Sequence, residues 1–281
     1  MIVDFHTHIF PPEIIASRTA LAKKENWFGQ LYGDAAARMA TAEELIAEMD
    51  RCGIDMSVVC GFGFESLDVC AACNTYAADA VQRWPDRIAG FATVPPLASG
   101  AIRELERAVS LGLTGIGELM PDGAGFDLAD TASLEPLTGF AAAHRLPLLV
   151  HLSEPLGREY PGKGTATPDK GLAFASANPD LTIVFAHWGG GLPFYEQMWD
   201  VRAALASVYY DCAASPFLYD AHIYGVAARI LGAKKILFGS DFPLISPERY
   251  LRDLDAAGLE PAAIEAIMGA NAAALLGGDR R

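Results

Sequence analysis

The first eight residues of the sequence hold the residue types best suited to metal chemistry. Residues 2–5 are predicted to form a short strand, which leads into His6 and His8. Because a strand turns successive side chains to opposite faces, Asp4, His6 and His8 are expected to point the same way. Two neutral imidazoles on one face are good ligands for zinc or a similar divalent metal. An isolated pair of this kind also arises by chance at a strand end. The rest of the chain must therefore show whether the two histidines belong to a metal site.

Four further acid/base residues each follow a run of apolar residues of the kind that forms a buried strand: Glu118, His151, His187 and Asp241. A buried, hydrogen-bonded histidine would explain any one of the histidines. However, four of the chain's six histidines lie at strand ends, and two carboxylates do so as well. Together they predict a shared metal site. Asp4 is either a hydrogen-bonding partner of this site or a plain inward polar residue. His144 and His222 are predicted to be structural.

Eight predicted strands alternate with helices along the whole chain. They cover residues 2–5, 55–60, 88–94, 113–119, 147–151, 182–187, 208–212 and 235–240. Such alternation is typical of parallel βαβ units, and a count of eight predicts a (β/α)₈ TIM barrel. No linker rich in Pro, Gly and Ser divides the chain, so residues 1–281 are predicted to form a single domain.

Local signals place several of the helices. Thr41 to Glu44 is a capping box that opens a helix, and Gly53 lies just past the predicted end of that helix. A second helix is predicted over residues 68–84, and Ser99 is predicted to cap a third. Residues 9–40 are predicted to be an irregular insertion after the first strand, and their aromatic residues favour a packed, lid-like segment over a linker.

Composition excludes several classes of protein. The 281 residues are 52% hydrophobic, which is ample for a sizeable core, yet no apolar run reaches the roughly 18 residues of a membrane span. The N-terminus does not resemble a signal peptide, and five cysteines do not suggest a disulfide framework, so a cytoplasmic protein is expected. A net charge of −14 argues against nucleic acid as a partner. The expected partner is a small-molecule substrate, and a homodimer is left open.

Four motifs, in this order, resemble those of the amidohydrolase superfamily. They are Val3-Asp4-Phe5-His6-Thr7-His8, Val150-His151, Ala186-His187-Trp188-Gly189-Gly190-Gly191 and Phe238-Gly239-Ser240-Asp241-Phe242-Pro243. The resemblance covers essentially the whole chain. It is strongest to the amidohydrolase-related group, which contains both hydrolases and non-oxidative decarboxylases of the aminocarboxymuconate semialdehyde type. The motifs are specific for the superfamily and poorly specific for the reaction.

The resemblance implies a role for each of the residues at the strand ends. It implies that a catalytic divalent metal, with zinc expected first, is bound by His6, His8, His151 and Asp241. His187 would act as an acid/base or substrate-polarising group.

Glu118 is less typical of the decarboxylase-like members and resembles the strand-four glutamate of TatD-like hydrolases. In that case it would bridge two ions, with His151 and His187 holding the second. The alternative is a carboxylate outside the set of metal ligands.

The leading hypothesis is a metal-dependent hydrolase of a small amide, ester, lactone or cyclic amide. Metal-activated water would attack a carbonyl, Asp241 would take the proton of the water, and His187 would stabilise the oxyanion or protonate the leaving group. One alternative is a metal-dependent non-oxidative decarboxylase of a carboxylated aromatic or unsaturated acid. Others are a catalytically silent metal-binding barrel and a TatD-like nuclease, which the acidic composition disfavours.

Substrate-binding residues are harder to assign from sequence. Arg158, in the loop after the fifth strand, is a candidate to bind a substrate carboxylate, although loop cations are more often simply solvated. Trp188, Phe242 and Trp27 are candidates to wall an apolar or aromatic substrate. Trp27 could instead just hold the first loop in place. Cys70 and Cys73 on a helix are predicted to be packing residues.

Overall fold

Eight parallel strands form a barrel in the computed structural model, which describes residues 1–277. In order they are β1 (Val3–His8), β2 (Met56–Cys60), β3 (Ile88–Ala92), β4 (Gly115–Leu119), β5 (Leu148–Val150), β6 (Ile183–Phe185), β7 (Val208–Asp211) and β8 (Ile236–Leu237). Each strand is hydrogen-bonded to the next. The segment around β8 returns to β1, since the backbone N–H of Phe5 donates to the carbonyl of Phe238 at 2.8 Å and that of His8 donates to Phe242 at 2.7 Å. The predicted (β/α)₈ barrel is confirmed.

The strands are apolar because the sheet is covered on both faces. Every residue of β1 is buried, and so is every residue of β4, β5 and β6. Inside the barrel, side chains from six strands pack into one cluster that includes Phe5, Val58, Phe91, Leu149, Val184 and Leu237. The interior is therefore a packed core. His6, His8, Glu118 and Asp211 lie toward the carboxyl-terminal ends of their strands.

Helices cover the outside of the barrel. The longer helices are α4 (Ala42–Cys52), α5 (Leu67–Arg83), α6 (Ala101–Ser110), α8 (Glu135–His144), α9 (Pro168–Ala177), α12 (Ile223–Leu231) and α13 (Pro247–Ala256). Shorter helices are α1 (Pro12–Ala16), α2 (Arg18–Leu21), α3 (Asn26–Tyr32), α7 (Pro121–Ala124), α10 (Trp199–Ala204), α11 (Ser215–Leu218), α14 (Pro261–Glu265) and α15 (Asn271–Gly277). No helix in this part of the chain is long and apolar enough to cross a membrane.

Two of the three predicted helix starts agree with the structure. The Thr41 hydroxyl accepts the N–H of Glu44, and the Glu44 carboxylate accepts the N–H of Thr41 at 2.7 Å, which completes the capping box. The helix predicted over 68–84 spans Leu67–Arg83. The cap predicted at Ser99 is wrong, because α6 begins one residue later, after Gly100 with a φ of 97°.

The insertion after β1 is helical, which corrects the prediction of an irregular segment. Helices α1 to α3 lie within it, and their aromatic side chains pack on residues that follow β2. Phe28 is fully buried, and its ring centroid lies 5.9 Å from that of Phe62 and 5.5 Å from that of Phe64. These contacts hold the insertion over one side of the barrel mouth. Whether it opens as a lid stays a prediction.

Candidate metal centre

The six acid/base residues predicted at strand ends come together at the carboxyl-terminal end of the barrel. A first group of four consists of His6 and His8 from β1, Glu118 from β4, and Asp241 after β8. Nε2 of His6 lies 3.1 Å from Nε2 of His8, 3.3 Å from Oε2 of Glu118 and 3.7 Å from Oδ1 of Asp241. Nε2 of His8 lies 3.5 Å from the same Glu118 oxygen and 3.4 Å from the same Asp241 oxygen.

These separations fit a metal ion. Ligand atoms about 2.1 Å from a tetrahedral ion lie about 3.4 Å from one another. His6, His8 and Asp241 present one donor atom each within such a range; the two imidazoles are buried and the Asp241 carboxylate is partly buried. The donors are imidazole nitrogens and carboxylate oxygens, which together suit several divalent transition metals. The site can therefore hold a divalent metal.

His151 contacts the other oxygen of Glu118. Its Nδ1 lies 2.8 Å from Oε1 of Glu118, and Nε2 of His187 lies 3.3 Å from the same oxygen. The two imidazole nitrogens are 3.2 Å apart. The two oxygens of Glu118 thus face different partners. Oε2 faces the β1 histidines, and Oε1 faces the histidines that follow β5 and β6.

Ser153 holds His151 from the opposite side of the ring, which the sequence did not indicate. The backbone N–H of Gly164 donates to Oγ of Ser153 at 2.9 Å, so the hydroxyl proton is left to donate to Nε2 of His151 at 3.2 Å. His151 then carries its own proton on Nδ1 and donates it to Glu118. This tautomer is inferred from the hydrogen-bond network. In this arrangement His151 orients Glu118 through a hydrogen bond.

Asp211, the last residue of β7, is a second residue that sequence reasoning missed. Its Oδ2 accepts a hydrogen bond from Nδ1 of His6 at 2.8 Å, and its Oδ1 accepts the backbone N–H of His187 at 2.9 Å. A carboxylate on the outer nitrogen fixes the tautomer and orientation of a metal-binding imidazole. The other site residues were predicted because each is a polar residue at the end of an apolar strand. Asp211 was missed because the predicted strand ended one residue later, at Cys212.

Asp4 links β1 to the segment after β8. Its Oδ1 accepts the backbone N–H of Ser240 at 2.9 Å and that of His6 at 3.3 Å. Burial raises the pKa of this carboxyl from 3.8 to about 7, against the lowering effect of these hydrogen bonds. Asp4 therefore supports the backbone that carries the site, and its side chain stays out of the group of donor atoms.

The charges of the site stabilise one another. Burial opposes ionisation of Glu118, but the neighbouring His6 and His151 outweigh it and hold the pKa of Glu118 well below its usual range. Burial likewise opposes ionisation of Asp241, and its hydrogen bond to His8 with the charge of His6 lowers its pKa to about 2. Burial lowers the pKa of His187, but its hydrogen bond to Glu118 raises it to about 9 overall. The carboxylates are thus ionised at neutral pH and attract cations, either protons on the histidines or a divalent metal that competes with them.

Two site residues have left-handed backbone conformations. The φ of His187 is 57° and that of Asp241 is 61°, a region that non-glycine residues rarely adopt. After His187 the chain continues through residues 188–191 with positive φ throughout. A Cβ atom on Gly190 would lie 2.4 Å from the carbonyl oxygen of Ser153, so only glycine allows this turn to pack so closely on the β5 loop. The turn directs His187 into the site.

Two adjoining cavities open above the donor atoms. The inner cavity, with about 560 Å³ of empty space, has a polar floor and apolar walls and is lined by His8, Trp27, Leu31, Tyr32, Arg38, Phe62, Glu118, Met120, His151, His187 and Asp241, among others. The outer cavity, of about 630 Å³, shares His151, His187 and Asp241 with it and is further lined by Arg158, Tyr160, Ala214, Phe217, Leu218 and Leu244. Each cavity therefore joins the metal centre to one arginine.

Two of the four residues predicted to bind substrate line these cavities. Trp27 lines the inner cavity and Arg158 the outer one. Trp188 and Phe242 do not, which corrects that prediction. The left-handed turn sends Trp188 into the core, where it is fully buried and its Nε1 donates to Oγ of Ser215 at 2.6 Å. Phe242 is almost fully buried, and its backbone bridges to Thr7 of β1. Arg38 was not predicted, because an exposed loop cation carries no signal of its own.

A (β/α)₈ barrel with a histidine and carboxylate metal centre at its carboxyl-terminal end defines a class of metal-dependent enzymes. The family model described as Amidohydrolase (Amidohydro_2) matches residues 3–278. The chain belongs to this family and is an enzyme of the amidohydrolase superfamily, as the sequence motifs indicated.

Several of the proteins that this chain resembles are decarboxylases by name. It is 23% identical, over 86% of its length and 81% of the relative's, to 2-amino-3-carboxymuconate-6-semialdehyde decarboxylase of Dictyostelium discoideum. Among solved structures it is similar to 5-carboxyvanillate decarboxylase from Novosphingobium aromaticivorans, complexed with manganese and 4-hydroxy-3-methoxy-5-nitrobenzoic acid. The TM-score is 0.81 and the sequence identity is 19%, and the match covers 99% of this chain and 96% of the decarboxylase. It is also similar to a dihydroxybenzoic acid decarboxylase from Polaromonas with bound manganese and 2-nitroresorcinol, with a TM-score of 0.76, 19% identity, and 100% and 98% covered.

Proposed function

We propose that this protein is a metal-dependent non-oxidative decarboxylase of a carboxylated aromatic acid or a related unsaturated acid. The observation that carries the proposal is the inner cavity, whose walls include the rings of Trp27, Tyr32 and Phe62 and whose floor is the candidate metal centre. Such a cavity suits a flat apolar ring with acidic substituents. The names of the relatives point the same way and favour this alternative over the hydrolase that led the sequence hypotheses.

We propose that His6, His8, Glu118 and Asp241 hold a single ion, because His151 already occupies the second oxygen of Glu118. The ion would supply a Lewis acid that fixes the substrate carboxylate and a neighbouring oxygen. Manganese replaces zinc as the proposed ion, since the two solved decarboxylases described above contain it and the carboxylate oxygens of the site suit it.

His187 is proposed to carry the proton that the reaction needs. Loss of CO₂ from a carboxylate leaves an electron pair on the ring carbon, and one proton must be delivered to that carbon. His187 lines the cavity, and its hydrogen bond to Glu118 raises the pKa of its imidazole in the metal-free chain, so contact with Glu118 favours the protonated form that can donate. Asp241 has a pKa of about 2 and is ionised, so it serves here as a metal ligand and as a counter-charge for His187.

Arg38 is proposed to select a second acidic or phenolic group on the substrate. It lines the inner cavity together with His8 and Asp241, and its guanidinium lies 5.7 Å from the ring centroid of Phe242. An arginine at the edge of an apolar cavity can form charge-assisted hydrogen bonds with a carboxylate or phenolate. The substrate proposed here is therefore a ring with at least two acidic groups.

The two candidate reactions leave different isotopes in the product. The manganese-loaded protein should be incubated with a panel of carboxylated phenols in D₂O, and the products analysed by mass spectrometry with CO₂ detection. A decarboxylase places one deuterium on the vacated carbon and releases CO₂. A parallel panel of amides, esters and lactones in ¹⁸O-water tests hydrolysis. Incorporation of ¹⁸O from water into a product, with no CO₂ released from any acid, would reject the proposal in favour of a hydrolase. If neither panel gave any turnover, the catalytically silent barrel would be favoured.

We also propose that the protein acts in the cytoplasm. All five cysteines are free thiols, and four of them are buried. Free thiols are typical of a reducing compartment. Fractionation of the source cells with an antibody to the protein would test this location.

A further inference from the structure

The loop between β5 and α9 closes on itself beside the metal centre. Residues 151–167 form neither helix nor strand, and a loop of more than about 15 residues without secondary structure is uncommon unless it has a function. Its two ends are held together, since the backbone N–H of Ser153 donates to the carbonyl of Ala166 at 2.8 Å and that of Gly164 donates to Oγ of Ser153 at 2.9 Å. Residues 154–163, which we call the β5 loop tip, lie beyond this neck.

The ammonium group of Lys163 lies inside the β5 loop tip. Its Nζ is within hydrogen-bond distance of three successive backbone carbonyls and one carboxylate: the carbonyls of Leu156 at 3.3 Å, Gly157 at 3.5 Å and Arg158 at 3.2 Å, and Oε1 of Glu159 at 3.2 Å. The side chain of Lys163 is only 8% exposed, so these oxygens replace most of the water around the ammonium. The tip is thus wrapped around a cation that belongs to the loop itself.

The carbonyl oxygens matter more to this arrangement than the ion pair does. The side chain of Glu159 is 88% exposed, and an ion pair with one well-hydrated partner contributes little. The three carbonyls instead direct their negative ends at one position, which is unfavourable unless a cation or N–H donors lie there. The ammonium of Lys163 occupies that position. Without it the carbonyls would turn toward water, and the tip would lose this conformation.

The β5 loop tip forms one wall of the outer cavity above the metal centre. It contributes four residues to the lining: Arg158, Tyr160, Pro161 and Gly162. The guanidinium of Arg158 has a long contact with the carbonyl of Phe217, at 3.4 Å, which by itself would hold the side chain only weakly. The backbone carbonyl of the same arginine is one of those that Lys163 binds. The position of Arg158 at the cavity therefore depends on the shape of the tip.

We propose that Lys163 is a positioning residue, which holds the β5 loop tip in shape and thereby presents Arg158 to an anionic ligand in the outer cavity. The ammonium does the work of a bound cation, and the guanidinium of Arg158 remains available for charge-assisted hydrogen bonds with a carboxylate or phenolate. The statement about the loop holds whichever reaction the site catalyses. The statement about the ligand rests on the proposed function, because a decarboxylase acts on an acid.

Limited proteolysis of the purified full chain tests the effect on the loop. A protease that cleaves after glutamate is suitable, because Glu159 lies in the tip and is left in place. We expect Lys163→Met, which keeps the length of the side chain and lacks its charge, to be cut after Glu159 at least about 10-fold faster than wild type. The matched control is Lys170→Met, which removes a lysine that contacts Asp127 at the surface and should be cut no faster. Equal rates for wild type and Lys163→Met would overturn the proposal.

A small amine separates the loss of the charge from a loss of packing. Lys163→Ala leaves room for propylammonium, which matches the missing part of the lysine side chain. Added propylammonium should slow cleavage of this variant after Glu159 toward the wild-type rate, and the effect should saturate. Propanol has nearly the same shape without the charge and should have little effect. Rescue by both compounds, or by neither, would show that the ammonium does not hold the tip and would overturn the proposal.

Kinetics test whether Lys163 acts through Arg158. For the carboxylated phenol that is turned over best, we expect Lys163→Met and Arg158→Ala to raise KM by similar factors and to leave kcat within about twofold, because neither residue contacts the metal centre. The double variant should have the KM of Arg158→Ala alone, since a positioning residue adds nothing once its target is removed. Additive effects, or a KM that neither variant changes, would overturn the positioning role. A protein that turns over no acid would instead reject the decarboxylase, and proteolysis would still decide whether Lys163 holds the loop.

Discussion

The carboxylate of Asp211 lies 2.8 Å from Nδ1 of His6, on the side of the ring that faces away from the other donor atoms. This contact leaves Nε2 of His6 directed at His8, Glu118 and Asp241. Both Asp211 and the ring of His6 are fully buried, so their hydrogen bond replaces the hydration that both groups lack. The pair links β7 to β1 across the barrel mouth and fixes the orientation of the His6 imidazole.

We predict that Asp211→Asn weakens metal binding by about 10–100-fold, the usual effect of removing a carboxylate behind a metal-binding histidine. Competition with a fluorescent chelator measures the affinity. Asp220→Asn is the matched control, because Asp220 also contacts a histidine, His222, but at the exposed surface. Equal metal affinities for wild type and Asp211→Asn would show that Asp211 has no part in the site.

The metal count tests the role of Glu118. We predict about one ion per chain in the wild type by plasma mass spectrometry, and much weaker retention in Glu118→Gln, because one oxygen of the carboxylate is a proposed ligand. The other oxygen accepts from His151 at 2.8 Å. Two ions in the wild type, with one left in Glu118→Gln, would contradict the single-ion proposal and identify Glu118 as a bridging ligand.

Ser153 is predicted to affect turnover through His151. Ser153→Ala removes the hydroxyl on Nε2 of His151 and frees the N–H of Gly164. We expect a loss of about 1–3 kcal/mol in stability from the unsatisfied groups, and a fall in kcat that exceeds any change in KM, because Glu118 loses its oriented partner. Ser176→Ala, which removes an exposed hydroxyl bonded within α9, is the control. A fall in stability alone, with kcat intact, would reduce Ser153 to a structural role.

The sequence was sufficient to predict the barrel and the six strand-end residues of the site, because both follow from local patterns. Apolar runs indicate buried strands, and a parallel barrel brings the ends of those strands together regardless of the exact bounds of the helices. The partners that act across the barrel were not predictable in this way. Asp211 was hidden by an error of one residue in the end of β7, and Ser153 matters only because Gly164, eleven residues away, folds back onto it. Trp188 was misplaced because a sequence does not show that five successive residues adopt positive φ.

Arg38 is predicted to determine specificity. For an aromatic diacid, Arg38→Ala should raise KM by about 10–100-fold, which corresponds to the loss of a charge-assisted hydrogen bond. For the matched monoacid the change should be small, because the group that Arg38 recognises is missing. Arg158→Ala serves for comparison, since Arg158 lines the outer cavity. The same loss for both acids would assign Arg38 to general attraction of anions.

The buried carboxyl of Asp4 should make stability depend on pH. Its pKa is about 7 in the folded chain, compared with an ordinary value of 3.8, so the folded chain binds this proton more tightly than the unfolded chain. The stabilisation from Asp4 is complete below about pH 4 and is lost as the pH rises through 7. Asp4→Asn cannot ionise and lacks this dependence. We therefore expect the unfolding free energy of Asp4→Asn, relative to wild type, to increase by about 3 kcal/mol between about pH 5 and pH 8. Urea denaturation of both proteins at fixed metal concentration measures the difference, and parallel pH profiles would show that Asp4 is ionised in the folded chain throughout this range.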